Sequence, residues 1–371
     1  MQAGMRGKNN TFRTKDNRFG SCSKLSYVCI PFPLTIFGAV KKISVFCLGL
    51  IAVFFTSCKN DLDVIDEYKE TMVVYGLLNP ADTAQYFRIT KAFLGRTSAY
   101  DMAGVFDSSN YAVGQITAKL EQWKNGLLIQ SIPLYRDTVI PKDAGVFSYP
   151  SQVLYKTTVP ILQDGSDYKL YVTNNTSEVN VTAGTPIVQQ IPVTIPILNS
   201  TINLVGQAAY KAKWKTAANG RLYNLVLRFH YQERFVFDTL QIADKYIDIN
   251  FATFRSATLS GSEPLEQEIL QDNFFRSIKN DPGMTVDPMK ERFFKSLEFR
   301  FSSAAEDFAT YMDVSNTTGS TFGDHPFYTN ITGGIGLFSS RYTYAVTNIG
   351  LNNLTKDSLR NGRFTYDLGF Q

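Results

Sequence analysis

The fold is decided by residues 71–78, which read Thr-Met-Val-Val-Tyr-Gly-Leu-Leu. β-Branched and aromatic residues dominate this stretch, as is typical of a β-strand. The turn sequence Asn-Pro-Ala-Asp follows at 79–82, and residues 85–92 then show a second strand pattern. Two adjacent strands with a tight turn between them are the simplest arrangement, so the sequence predicts a β-hairpin here.

Strand patterns continue to residue 195 and predict a β-sandwich. The further strands are expected at 114–123, 127–135, 153–159, 168–173 and 187–195. Lys124-Asn125-Gly126 is a hairpin turn sequence between the first two of these strands. Tyr168 follows the turn at 164–166, in the way that a corner tyrosine of an immunoglobulin-like sandwich follows its turn. The interpretation is an immunoglobulin-like β-sandwich over residues 71–198, with an inserted loop at 93–111.

Residues 199–371 are predicted to form a second β-rich domain, and the prolines before residue 199 mark the boundary. Its strands are expected at 209–214, 222–233, 246–254, 292–301, 335–338, 342–347 and 363–370. Residues 216–220 read as a hairpin turn between the first two strands. Trp214 is expected in the core of this domain.

Two short helices are expected within this second domain. Apolar residues recur at intervals of three to five over 265–278, as on one face of a helix. Ser303 and Glu306 have the spacing of a capping box, which predicts a second helix from 303 to 312. The predicted fold class is therefore mainly β, with two helical segments in the C-terminal domain.

The charge and the cysteines are unevenly distributed along the 371 residues. Residues 1–57 hold eight of the 37 Lys and Arg and one of the 33 acids, so residues 58–371 hold 29 basic and 32 acidic residues, a net charge of −3. A nucleic-acid interface needs an excess of basic residues on the folded part, so this class of partner is excluded. All four cysteines lie within residues 1–58, and the chain has two histidines. A structural Cys/His zinc site is therefore excluded, and no cofactor motif is present.

The N-terminal region has the pattern of a lipoprotein signal peptide. Lys41 and Lys42 precede the apolar run 43–56, which as a helix would be about 21 Å long, shorter than a ~30 Å hydrocarbon core. This run is therefore predicted to be a signal peptide at 40–57 and not a stable span. Small residues precede Cys58, and the motif resembles the lipobox of bacterial lipoproteins. The resemblance implies a diacylglycerol thioether on Cys58, palmitate-type acylation and an outer-membrane location.

Residues 1–39 precede the basic residues of this signal peptide and carry no pattern of a structural element. We expect translation to start at Val40, so that residues 1–39 are an upstream extension wrongly included in the reading frame; a real cytoplasmic extension is the alternative. Residues 58–70 include several acids and are predicted to be a solvated tether. This acidic segment also resembles the surface-export sequences of Bacteroidota lipoproteins, and a plain linker is an equal alternative.

The most specific motif of the C-terminal region spans residues 325–338, His-Pro-Phe-Tyr-Thr-Asn-Ile-Thr-Gly-Gly-Ile-Gly-Leu-Phe. It is similar to the C-terminal signature of an uncharacterised family of Bacteroidota outer-membrane lipoproteins, often encoded near TonB-dependent receptors. The resemblance implies an outer-membrane location and a TonB-dependent receptor as a partner. It implies no catalytic residues. Gly333, Gly334 and Gly336 are predicted to form a structural turn, because no Gly-Lys-Ser/Thr follows that would bind phosphate.

Candidate catalytic residues are few, and each has a simpler structural explanation. His325 could act as a general base that Asp324 orients, with Ser339 or Ser340 as the nucleophile. No nucleophile-elbow motif surrounds either serine. His230 is expected to be a strand residue. A glycoside hydrolase would need paired carboxylates, and the acids of the region between strands could supply them: Glu263, Glu266, Glu268 and Asp272. Glu268 and Asp272 share one face of the predicted helix, which more often is a solvated surface.

The expected function is that of a noncatalytic outer-membrane lipoprotein. It would be an accessory or binding component that captures a ligand or nutrient together with a TonB-dependent transporter. The alternatives are a surface adhesin or envelope-interaction protein and, less favoured, a glycan hydrolase.

Overall fold

The computed structural model describes residues 70–92, 98–158, 162–206, 208–316 and 327–371. Within them the chain forms sixteen strands and five short helices, so the prediction of a mainly β fold is confirmed. The described residues form one compact unit. The division into domains at residues 198 and 199 stays a prediction.

The strands of the first half are β1 (Met72–Leu78), β2 (Gln85–Lys91), β3 (Ile116–Lys124), β4 (Leu127–Asp137), β5 (Leu154–Thr157), β6 (Asp167–Asn174), β7 (Asn180–Pro186) and β8 (Val193–Ile195). The strands of the second half are β9 (Thr201–Ile202), β10 (Tyr210–Lys215), β11 (Leu222–Phe235), β12 (Asp238–Asn250), β13 (Phe254–Arg255), β14 (Pro264–Ile269), β15 (Lys290–Ala304) and β16 (Ile335–Leu351). The helices are α1 (Ala99–Gly104), α2 (Phe106–Ser109), α3 (Gln271–Lys279), α4 (Glu306–Asn316) and α5 (Asn353–Asn361).

One 13-stranded sheet runs in the order β12-β11-β15-β16-β1-β2-β5-β4-β3-β6-β7, with β13 beside β11 and β9 beside β16. The hairpins β1–β2 and β3–β4 are antiparallel, as predicted. Strand β4 turns the corner of the sheet, since its first part pairs with β3 and its last residues with β5. The sheet therefore folds over itself, and side chains from both parts, such as Phe87 and Leu170, share one buried core. This arrangement confirms the β-sandwich.

The tyrosine corner is present at the position that the sequence predicts. Tyr168 is fully buried near the start of β6. Its hydroxyl oxygen accepts a hydrogen bond of 3.1 Å from the backbone N–H of Gln163 in the preceding turn. The contact satisfies a buried hydroxyl and fixes the path of the chain into β6.

The first and last long strands of the sheet are neighbours. β1 pairs in parallel with β16, with Val73 opposite Ile335 and Leu78 opposite Ser340. β16 continues beyond β1 and pairs with β15, which leads to β11 and β12. A 17-residue strand therefore joins the sandwich to the second half of the sheet. The sequence suggested two shorter strands here, at 335–338 and 342–347.

A second hydrophobic core lies under β11, β12, β15 and β16 and includes Trp214 of β10, as predicted. The Trp214 ring packs edge-on against Phe254 and Phe301, at centroid distances of 5.4 and 5.2 Å. β10 belongs to a separate three-stranded sheet of order β14-β10-β8. The predicted hairpin across residues 216–220 is therefore wrong, because β10 pairs with β14 and β8 while β11 pairs with β12 and β15.

Both predicted helices of the second half begin later than expected. Residues 264–269 form strand β14 on the edge of β10, so the helix predicted at 265–278 is reduced to α3. Ser303 lies in β15 opposite Tyr223, and α4 begins at Glu306, so the Ser303 capping box is wrong. In both places pairing with a neighbouring strand overrides the local helix pattern.

Three further local predictions are corrected. Residues 363–369 form turns after α5 and not a strand, although Phe370 makes one bridge with Arg292. The predicted strand at 187–195 is limited to β8, while β7 at Asn180–Pro186 was missed. The expected loop at 93–111 contains the short helices α1 and α2.

Candidate functional site

An open groove of about 630 Å³ lies between α3, β14 and the end of β12. Its polar side chains converge from these three elements, and we call it the amide groove. They are Asn250, Gln267, Glu268, Asn273, Arg276, Ser277 and Asn280.

Helix α3 and its C-cap residue, Asn280, place four of these side chains because the helix is amphipathic. Phe274, Phe275 and Ile278 are buried in the second core and fix the rotation of the helix. With 3.6 residues per turn, residues 273, 276, 277 and 280 then lie on the opposite side. That side faces the groove.

The floor of the amide groove is apolar. Ile249 of β12, Ile269 of β14 and Phe274 of α3 form part of the lining and are buried. Leu270, which connects β14 to α3, also lines the groove and is 44% exposed. The groove therefore combines an apolar floor with polar walls, which is the usual construction of a small-molecule site.

Most polar groups of the walls have no partner within the described part of the chain. The side chains of Asn250, Asn273, Ser277 and Asn280 make no hydrogen bond to any described residue. The Gln267 amide N–H donates only to the neighbouring carbonyl oxygen of Glu268, at 2.7 Å. An amide offers two donors and two acceptor lone pairs, so the walls present many hydrogen-bonding groups without net charge.

The two charged side chains of the groove both have protein partners. The Arg276 guanidinium lies 5.3 Å from the centre of the Phe364 ring. The Glu268 carboxylate lies 3.0 Å from the Lys211 ammonium. One cation and one anion leave the lining of the groove close to neutral.

The carboxylates considered for hydrolysis are all engaged in ion pairs or hydrogen bonds within the protein. Glu266 and Glu268 point from β14 toward Lys211, and the hydrogen bond from Lys211 lowers the pKa of Glu266 below its ordinary value. Asp272 pairs with Arg363. Glu268 and Asp272 do not share a helix face, because Glu268 lies in a strand. Hydrogen bonds from Thr258 and the backbone of Ala257 likewise lower the pKa of Glu263.

The histidine and serine candidates do not form a site among the described residues. His230 is a strand residue of β11, as predicted, and its Nε2 lies 2.9 Å from Oε2 of Glu298. Ser339 and Ser340 are fully buried in β16. The Ser340 hydroxyl donates to the carbonyl oxygen of Pro186 at 2.5 Å. Asp324 and His325 lie outside the described residues.

The three glycines lie where the chain approaches β1 and β7. Gly333 has φ of 82°, and a Cβ there would lie 2.6 Å from the carbonyl oxygen of Asn180. A Cβ at Gly334 would lie 2.6 Å from the carbonyl oxygen of Met72. Gly336 has φ of 123°, and its Cβ would overlap the carbonyl oxygen of Val74. The absence of a Cβ allows the close approach to β7 at Gly333 and to β1 at Gly334 and Gly336.

The residues predicted for membrane anchoring, Lys41, Lys42 and Cys58, lie outside the described residues. In the described part of the chain, no helix has the length and hydropathy needed to cross a bilayer. The described residues also bring no three His, Cys, Asp or Glu side chains together as a metal site.

The amide groove was missed from the sequence. The alternation of buried aromatic and exposed polar residues over 273–280 could have identified the outward face of α3. Asn250 and Gln267 could not be assigned to the same groove, because they reach it only through the packing of β12 and β14 against α3.

Comparison with known proteins identifies one family. A family model described as "Domain of unknown function (DUF4249)" matches residues 59–345. No curated protein matches the sequence. A solved structure of Bacteroides uniformis beta-glucuronidase 2, covalently bound to cyclophellitol-6-carboxylate aziridine, aligns with 71% of this chain at 8% identity. The chain covers 26% of that enzyme, and a TM-score of 0.12 is too low to relate the two folds.

Proposed function

This chain belongs to the family of the domain of unknown function DUF4249, and from this premise we propose that it is a noncatalytic, lipid-anchored binding protein of the outer membrane. In this proposal a diacylglycerol on Cys58 holds the chain to the membrane, and the amide groove binds a ligand. A TonB-dependent transporter is the proposed partner that takes up this ligand. The lipobox-like motif and the C-terminal motif support the compartment and the partner.

The main support for a binding function is the set of polar side chains in the amide groove that have no partner among the described residues. Asn250, Asn273, Ser277 and Asn280 converge on one cavity with an apolar floor. Neighbouring hydroxyl groups of a sugar need both donors and acceptors, which amides supply, and the apolar faces of a sugar ring suit the floor. An uncharged oligosaccharide is therefore the ligand class that we propose.

The carboxylates of the described residues favour binding over hydrolysis. A glycosidase needs a general acid whose pKa is raised, next to a second carboxylate that stays ionised. Hydrogen bonds from lysine or threonine lower the pKa of Glu263 and Glu266 instead. Both groups therefore stay ionised near neutral pH and are poor proton donors.

Substitution of the groove amides is expected to weaken binding. Each lost hydrogen bond contributes about 0.5–1.5 kcal/mol, so Asn273→Ala and Asn280→Ala should each raise the Kd of a bound oligosaccharide by roughly 2- to 12-fold. Isothermal titration calorimetry against a panel of neutral oligosaccharides measures this effect.

Asn361→Ala is the matched control, since Asn361 is an exposed asparagine of another helix, α5, outside the groove. This variant should bind like the unsubstituted protein. If all three variants bind with the same Kd, the ligand binds elsewhere. If no oligosaccharide of the panel binds, the proposed ligand class is wrong.

The anchor and the partner are tested separately. Palmitate fed to cells should label the protein and leave a Cys58→Ser form unlabelled, because the cysteine sulfur is the acceptor. Co-purification with an outer-membrane barrel from detergent extracts would support the transporter partner. Surface exposure with unchanged nutrient uptake after deletion would favour the adhesin instead.

A further inference from the structure

The outer face of strands β1, β2, β5 and β4 carries three tyrosines and two cations in two rows. Tyr86 of β2 pairs with Lys156 of β5, which in turn pairs with Tyr135 of β4. Tyr75 of β1 lies opposite Arg88, two residues beyond Tyr86 on β2. Residues that pair directly, and residues two apart on one strand, share a face of the sheet. These five side chains therefore form one surface, which we call the tyrosine face.

The rings of the tyrosine face are open to solvent. The exposed fractions are 41% for Tyr75, 39% for Tyr86 and 66% for Tyr135. The alternate residues Phe87 and Tyr155 are buried in the core of the sandwich and fix the direction of the exposed side chains. Each tyrosine offers an apolar ring and a hydroxyl group that can donate or accept a hydrogen bond.

A groove of about 310 Å³ adjoins the tyrosine face at Tyr135 and Lys156. Gln130, Ser131 and Thr158 also line it, so amide and hydroxyl groups are available beside the rings. A volume of this size is at the lower end of ligand sites. The row of Tyr86, Lys156 and Tyr135 therefore leads into a polar groove.

Two cations at the tyrosine face, Arg88 and Lys142, form no ion pair with any described residue. Lys142 lies in the connection between β4 and β5, and its Nζ donates to the carbonyl oxygen of Ser148 at 3.2 Å. Burial, followed by the charge of Arg88, lowers the pKa of Lys142 below its ordinary value. The two cations therefore lie close enough to repel each other, and an anion bound between them removes this repulsion. The third cation, Lys156, pairs with Asp137 at 2.5 Å.

We propose that the tyrosine face binds an acidic oligosaccharide, a chain of sugars that carry carboxylates. Arg88 and Lys142 pair with the carboxylates, and the rings of Tyr86 and Tyr135 pack against the apolar faces of the sugars. Tyr86 and Tyr135 lie two strands apart, at about 10 Å, so one extended chain can contact both. The tyrosines favour a sugar chain over an acidic peptide, because flat sugar rings match the flat rings of tyrosine.

This site is separate from the amide groove and stands without the ligand proposed there. The amide groove lies over the second core, whereas the tyrosine face lies over the core of the sandwich. Asn273→Ala, which is expected to weaken binding in the amide groove, should therefore leave the affinity for an acidic oligosaccharide unchanged.

Isothermal titration calorimetry with oligogalacturonate, a chain of uronic acids, tests the proposal. Arg88→Gln and Lys142→Gln should each raise the Kd about tenfold, because each removes a charge-assisted contact, and added salt should weaken the binding. Tyr86→Ala should raise the Kd several-fold. Arg360→Gln is the matched control, since Arg360 is an exposed arginine of α5, and it should bind like the unsubstituted protein.

Two further ligands separate charge from sugar. The methyl ester of oligogalacturonate keeps the sugar rings without the charge, and poly-aspartate keeps the charge without the rings. Both should bind more weakly than oligogalacturonate.

Four outcomes would overturn the proposal. Oligogalacturonate fails to bind, or it binds the Arg88 and Lys142 variants as tightly as Arg360→Gln. The ester or poly-aspartate binds as tightly as the acid, so that charge or rings alone account for the affinity. Asn273→Ala weakens the binding as much as Arg88→Gln, which would place the acidic chain in the amide groove.

Discussion

Gly336→Ala is expected to lower the free energy of unfolding by at least about 3 kcal/mol. Gly336 has φ of 123°, which side-chain-bearing residues rarely adopt. An added Cβ would also overlap the carbonyl oxygen of Val74 and lie 2.8 Å from its carbonyl carbon. These are backbone atoms of the paired strand β1, so they cannot move without breaking the register of β1 with β16. Urea unfolding followed by circular dichroism measures the loss.

Gly104→Ala is the matched control for this substitution. Gly104 ends helix α1, and a Cβ there would meet no atom within 4 Å. Alanine has a higher helix propensity than glycine, so this variant should be as stable as the unsubstituted protein or slightly more stable. Equal unfolding midpoints for the two alanine variants would contradict the close approach of β16 to β1.

Arg292→Met is expected to cost about 3–5 kcal/mol, because it removes the one fully buried partner of the Glu233 carboxylate and leaves two carbonyl oxygens without their guanidinium donor. Arg292 is fully buried and donates from Nε to Glu233 at 2.9 Å. Its other nitrogens donate to the carbonyl oxygens of Thr285, at 3.0 Å, and Leu368. One side chain thus fastens β15, β11 and the C-terminal turns to one another. Thermal and urea unfolding measure its contribution.

Arg234→Met provides the comparison on the same strand pair. Arg234 and Glu291 form an ion pair with about a quarter of each side chain exposed, and such pairs contribute up to about 1 kcal/mol. If Arg292→Met and Arg234→Met lower the free energy of unfolding equally, the buried contacts of Arg292 contribute no more than a partly exposed ion pair.

The ion pairs of Glu233 also make the free energy of unfolding depend on pH. Burial alone would raise the pKa of Glu233, but the hydrogen bond from Lys245 and the charges of Arg292 and Lys290 outweigh it and lower the pKa below 4.5. The contribution of Glu233 is therefore complete above pH 4.5 and is lost as the pH falls through the lowered folded pKa. The stability difference between the unsubstituted protein and Glu233→Gln should accordingly narrow below pH 4.5.

The parts of the fold that depend on residues close together in the sequence could be predicted. The first hairpin, the corner at Tyr168 and the burial of Trp214 follow from turn residues, β-branched runs and aromatic spacing. The pairing of β1 with β16 could not be predicted, because periodicity reports which face of a strand is buried and not which strand lies beside it. The same reason explains the error at 264–269, where the edge of β10 converts a helix-like pattern into strand β14.

The candidate site was less predictable than the fold. Sequence motifs drew attention to carboxylates such as Glu268, which the structure places in an ion pair with Lys211. Asn273 and Asn280 have no motif, and asparagines are common on exposed surfaces. Their significance comes from converging with Asn250 on one cavity, which only the tertiary packing produces.

The pairing of Val73 with Ile335 also determines when this protein can finish folding. At roughly 5–20 residues per second, a ribosome makes β16 roughly 15–50 s after β1, and until then one edge of the nascent strand has no partner. Resistance to proteases is therefore expected only after the last third of the polypeptide has emerged. Until then β1 presents an unpaired strand edge, and such an edge is a template for pairing with other chains.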